Sequence, residues 1–292
     1  MVIPPMRLSL APMWQDHARR FAPLKLATLL LLSLPAVQLA LRWATHDLGA
    51  RPIVESIHVA GDWAVRFTVL ALAVSAARAV LDWPRILLVR RMIGVTAACY
   101  ASLHLLLYCL DQKWNLLTVV REIFSRFYLT IGFAALLGLL VLAVTSTDGW
   151  QKTLGRNWKR IHQAVFPIAL LAVFHYFLQS KADVTDAVFL FGLLAWLLLW
   201  RLVPRRFQSR LALLPVLAIS AALLTAGAEA AWYGLATGVD ARRVLAGNLD
   251  IAFGLRPAVE VLACGLLLAA MAGVRRLFRR RSKALPAAAR RA

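Results

Sequence analysis

Apolar runs of about 20 residues recur along the chain, each close to the length that carries a helix across the roughly 30 Å hydrocarbon core of a bilayer. Eight are read, at 24–43, 62–80, 92–110, 128–147, 161–179, 185–202, 211–236 and 257–275. Lipid offers the backbone no hydrogen-bond partner, and a helix satisfies its own N–H and C=O groups within one segment. The expected fold is therefore all-α, a polytopic transmembrane helix bundle. A hydrophobic fraction of 61% argues against an ordinary soluble domain. Trp43, Trp63, Tyr128, Trp200 and Trp232 fall near run ends, where amphipathic rings meet the headgroups. Arg19, Arg20 and Lys25 accompany the first run. It is long for a signal peptide and lacks a small-x-small cleavage site, so an uncleaved span is expected.

The net charge of +20 would suit a nucleic-acid binder, but its distribution excludes that reading: the cations sit at span ends. The segments on one side of the alternating spans, both chain ends included, hold 24 Lys and Arg, and those on the other side hold 9. That bias predicts cytoplasmic termini for a multi-pass inner-membrane protein. A segment at 1–23 precedes the spans, and a basic tail at 276–292 is expected to lie largely disordered against anionic headgroups. Cys99, Cys109 and Cys264 show no CxxC spacing and are read as small apolar residues.

Three of the six histidines, His104, His162 and His175, lie inside spans three and five. Ionisable groups at such depth are rare and mark function by default, although a neutral histidine can also simply bond across helices. The two spans run in the same direction. His104 and His175 both fall late in them and share a depth toward the outer face. Two imidazoles on facing helices, one on each side of a flat macrocycle, are what a six-coordinate b-type heme requires. His162 lies thirteen residues before His175, about 19.5 Å of helix rise, which allows a second heme nearer the cytoplasm. On a straight helix those positions are about 220° apart in phase, and Pro167 between them offers a kink. Opposite His162 a fourth histidine is missing, and Arg90 and Arg91 stand there. Arginine pairs with a heme propionate or a lipid phosphate far more readily than with iron. His17, His46 and His58 are expected in aqueous or interfacial segments.

Four ordered stretches, Ile57–Phe67 (IHVAGDWAVRF), Arg90–Tyr108 (RRMIGVTAACYASLHLLLY), Arg126–Ser146 (RFYLTIGFAALLGLLVLAVTS) and Leu154–Tyr176 (LGRNWKRIHQAVFPIALLAVFHY), resemble the ferric-reductase-like transmembrane superfamily. Within it they resemble the MsrQ (YedZ) type, the heme-binding membrane subunit of a periplasmic methionine sulfoxide reductase system. The resemblance covers 24–203, a six-helix core, and leaves 204–275 as a two-helix extension. It implies that His104, His162 and His175 are heme ligands and that Arg90 and Arg91 are the paired arginines of the type. It also implies one or two b hemes and electron transfer outward to a periplasmic molybdopterin-dependent reductase that repairs oxidised methionines. It leaves the donor open among the quinone pool, bound FMN and a cytoplasmic flavin reductase. His58 matches a histidine of the first outer loop, beside Ala60 where Thr is usual.

No Gly-x-Gly-x-x-Gly occurs, so electrons are expected from a partner or a small carrier rather than from a nicotinamide bound here. Glu229 and Glu260 sit in apolar runs of the extension, as interhelical hydrogen-bonding groups or as a proton or quinone site. Two competing readings are a proton-coupled transporter and a stand-alone transmembrane ferric reductase. The first calls for inverted repeats, and none stands out between the halves.

Overall fold

The computed structural model describes residues 21–180, 183–208, 210–248, 250 and 254–284. Most of the N-terminal segment, with His17, and the end of the basic tail lie outside them. Among the described residues the chain is helical, with one short 3-10 turn at Pro84–Ile86 and no strand. Eight spans among the described residues are long and apolar enough to cross a membrane. They are built from α1 (Pro23–Ala44), α2 (Pro52–Val80), α3 (Leu87–Asp111) and α5 (Phe127–Val144), then α7 and α8 (Arg156–Gln163 and Val165–Gln179) as one broken span. After these come α9 (Thr185–Leu202), α10 (Leu213–Ala236) and α12 (Pro257–Ala284). Three short helices lie between spans: α4 (Leu116–Ser125), α6 (Asp148–Leu154) and α11 (Ala241–Gly247).

The expected spans all form, and their ends differ instructively. The second begins at Pro52, so His58 stands on α2 and not in a loop. Segment 111–127 contains the amphipathic α4, and the basic segment before His162 is helical. The last helix runs to Ala284, past the expected end at 275. Its Arg275 guanidinium donates to the Asp82 carbonyl (3.4 Å) and lies over the Trp83 ring, and Arg279 pairs with the Asp82 carboxylate. Those partners extend as helix a stretch that reads as tail on charge alone.

By their contacts the described residues form two compact units. The first comprises those up to Val74 and from Arg85 to Ser180. Here α1 packs on α3, α3 on α5 and α5 on α8. Leu32, Phe67, Ile93 and Tyr100 join the first three helices, and Ala98, Leu139 and Ile168 join α3, α5 and α8. A Cβ on Gly138 would stand 2.6 Å from the tip of the Ile168 side chain, so α5 and α8 approach closely there.

The second unit comprises Ser75–Pro84 and the residues from Asp183 onward. In it α9, α10 and α12 pack together through small residues. A Cβ on Gly192 would stand 2.2 Å from the Thr225 hydroxyl, and one on Gly265 would stand 2.5 Å from Ala218. Glu229 is 1% exposed and accepts from the Asn248 amide (2.9 Å) and the Arg256 guanidinium (3.4 Å). It is the interhelical hydrogen-bonding group that an acidic residue in an apolar run must become when it stays inside.

Candidate functional site

The five residues singled out from sequence line two cavities of the first unit. The larger, about 640 Å³, is lined by His104 from α3 and His175 from α8. The ring centroids are 6.3 Å apart and the planes cross at 84°. The smaller, about 260 Å³, is lined by His162, Arg90 and Arg91. Thr68 and Leu139 belong to both walls, so the cavities adjoin.

Each ring of the larger cavity is held by a backbone carbonyl. Nδ1 of His104 lies 2.8 Å from Ile57 O on α2, and Nδ1 of His175 lies 2.7 Å from Tyr128 O on α5. A carbonyl only accepts, so Nδ1 carries the proton in both rings and Nε2 keeps its lone pair. That is the tautomer of a metal-binding imidazole whose other nitrogen is fixed by an acceptor. Glycine makes both approaches possible. A Cβ on Gly61 would stand 2.8 Å from the His104 ring, and one on Gly132 would stand 2.7 Å from the His175 ring.

The described residues contain no cluster of three or more His, Cys, Asp or Glu side chains suited to a metal ion. A metal held between these rings would have two histidine ligands and would need its others from elsewhere. The cavity lining mixes aliphatic side chains, including Val65, Ala101, Leu136 and Ala172, with polar ones, Asp62, Glu122, Arg126 and Tyr128 among them. There the Arg126 guanidinium donates to the Tyr128 hydroxyl (3.2 Å) and pairs with Glu122. The Tyr128 hydroxyl, then the Glu122 carboxylate, push that guanidinium above its ordinary value and keep it cationic. His58 is exposed and also reaches this lining, a position that its assignment to a loop hides.

The smaller cavity is built differently. His162 stacks on Trp158 (4.0 Å, 27°) and its Nδ1 lies 3.1 Å from the Trp158 carbonyl of its own helix. Its Nε2 is 3.3 Å from the Ser146 hydroxyl. Arg91 pairs with Asp148. The span that carries His162 and His175 is interrupted at Ala164. Pro167 lacks an N–H and its ring collides with the carbonyl three to four residues back, at Gln163 and Ala164, so α7 ends there and α8 begins.

Sequence reasoning missed Ile57, Tyr128 and the two glycines. The signal that finds them is an offset. Acceptor, glycine and histidine fall at 57, 61 and 104 in one helix pair and at 128, 132 and 175 in the other, a shift of 71 residues throughout. A repeat therefore exists inside the first unit, where a comparison of chain halves does not look. The same offset sets Arg91 opposite His162 and Thr68 opposite Leu139.

The family model described as "Ferric reductase like transmembrane component" matches residues 60–173 of this helical membrane unit, a stretch that carries the span histidines His104 and His162 but not His175. Among curated proteins, the chain is 42% identical over 168 residues to the "Protein-methionine-sulfoxide reductase heme-binding subunit MsrQ" of Xanthomonas oryzae pv. oryzae (strain MAFF 311018), covering 56% of this chain and 77% of that one. It is 41% identical over 189 residues to the protein of the same name from Rhodospirillum rubrum, covering 63% of this chain and 91% of that one. No solved structure matches. The chain belongs to the MsrQ family.

Proposed function

We propose that this chain is the heme-bearing electron conduit of a methionine sulfoxide reductase system, with His104 and His175 as the axial ligands of one b-type heme. The observation that carries this is the spacing of the two rings. Imidazoles bonded at about 2.0 Å to opposite sides of one metal ion have centroids about 6.3 Å apart, and these stand 6.3 Å apart. When bound, the heme supplies a one-electron couple at iron.

The chain's own groups do the rest. The Ile57 and Tyr128 carbonyls fix both rings in the ligand tautomer and raise the basicity of Nε2. Val65, Ala101, Leu136 and Ala172 offer the macrocycle apolar surface. Arg126 in the lining offers a cation to a carboxylate side group. In the smaller cavity His162 is the one imidazole, and Arg90 and Arg91 suit a propionate or phosphate, so a second heme there has a single histidine. Electrons enter on the cytoplasmic side of an inner membrane, from a flavin reductase, bound FMN or the quinone pool. They leave to a periplasmic molybdopterin-dependent reductase, and both termini face the cytoplasm.

Heme content, absorption spectra and redox titrations of the wild type and of three alanine variants test this. His104→Ala and His175→Ala are each expected to abolish the low-spin b-type spectrum of the larger site. His162→Ala is expected to leave that spectrum in place. Wild-type protein from heme-replete cells without a Soret band, or histidine variants with unchanged spectra, overturns the reading.

A further inference from the structure

We infer that Gly61 and Gly132 are positioning residues of the larger site: each keeps one helix carbonyl open so that the histidine across from it is held as a ligand. This rests on the reading of His104 and His175 as axial ligands.

In an α-helix the carbonyl of residue i accepts from the N–H of residue i+4, and its second lone pair points outward. A side chain at i+4 leans back toward the helix N-terminus, over the preceding turn and thus over that lone pair. Position i+4 is Gly61 for the Ile57 carbonyl and Gly132 for the Tyr128 carbonyl. The imidazoles occupy the space left vacant. A Cβ would meet His104 Nδ1 at 2.8 Å in one case, and His175 Cε1 and Nδ1 at 2.7 Å in the other. Separations under about 3 Å are closer than van der Waals contact allows, and each ring is pinned by its carbonyl and has no free swing. The arrangement occurs twice, 71 residues apart, with the same 47-residue reach from acceptor to histidine. Two copies of one geometry, each ending on the ring of a proposed ligand, set these glycines apart from glycines that merely let helices pack.

Gly138 makes the distinction testable. It lies on α5 with Gly132, and its Cβ would collide with Ile168 of the same α8 at 2.6 Å, but with an aliphatic tip and no imidazole. Full-length Gly61→Ala, Gly132→Ala and Gly138→Ala are to be compared by heme content, optical and electron paramagnetic resonance spectra and carbon monoxide binding. In the first two, part of the low-spin heme is expected to turn high-spin, to bind carbon monoxide and to return to low-spin with added imidazole. Gly138→Ala is expected to keep the wild-type spectrum. Unchanged spectra in Gly61→Ala and Gly132→Ala, or equal changes in all three, overturn the inference.

A variant that does not accumulate is replaced by a pair in which the ring is gone. His175→Gly is expected to regain its low-spin spectrum with external imidazole, and His175→Gly/Gly132→Ala to need about tenfold more, the scale of an overpacked site. Equal imidazole affinities in the pair overturn the inference. A wild type without a low-spin b spectrum, or one that His104→Ala and His175→Ala leave intact, refutes instead the ligand reading beneath it.

Discussion

A hydroxyl set into a helix shows how much one side chain does here. Pro35 sits inside α1 and removes a donor from its ladder. One turn is then bridged from outside: the Ala36 N–H donates to the Tyr100 hydroxyl (2.9 Å), which donates to the Leu32 carbonyl (3.1 Å). Tyr100→Phe strips both bonds while keeping the ring against Phe67, and is expected to cost about 1–2 kcal/mol, read as a lower unfolding midpoint in detergent with an unchanged visible spectrum. At this scale the sequence is only partly legible. His104, His162 and His175 stand out because an ionisable group in an apolar run needs a reason. The carbonyls of Ile57 and Tyr128 do not, because every residue has one. Gly61 and Gly132 become informative only once the 71-residue offset is noticed.

Elements are legible in proportion to their length. A span of about 20 apolar residues declares itself by composition alone, whereas α4, α6 and α11 are too short for periodicity to separate from a polar loop. The start of α2 was hidden similarly, since Glu55, His58 and Asp62 dilute its apolar character. Of these elements α4 matters most. It joins the ends of two spans, buries Val119 and Ile123, and leaves Leu117 (80%) and Phe124 (72%) exposed beside Val120. Such a face belongs at the bilayer interface. With Leu117→Asp and Phe124→Asp together, α4 is expected to leave the interface, and trypsin added to vesicles from the side of α4 should cut at Arg121 and Arg126 several-fold faster than in wild type. An equal cutting rate would count against the interfacial placement.

For the whole molecule, membrane spans and all-α class follow from hydropathy, but the grouping of helices does not. The sixth span, α9, packs with α10 and α12, a choice made by Gly192 and Gly265, whose neighbours no spacing rule reveals. Gly192→Ala drives a methyl group against Thr225 and Val261 and is expected to destabilise the second unit by about 1–3 kcal/mol. Because both cavities are lined by the first unit, its heme spectrum should stay that of wild type while thermal aggregation begins earlier. The wall shared by those cavities has a consequence of its own. Thr68 and Leu139 stand in it, and the Thr68 hydroxyl is turned onto the Ala64 carbonyl of its own helix (2.8 Å). That bond occupies the one hydroxyl proton of the shared wall. An electron tunnels through a thin layer of hydrocarbon, whereas a proton needs a chain of hydrogen bonds to cross it. In the proposed conduit a partition of this kind would sort the two carriers, passing the charge that does reductive work and holding back the ion whose leakage would discharge the membrane.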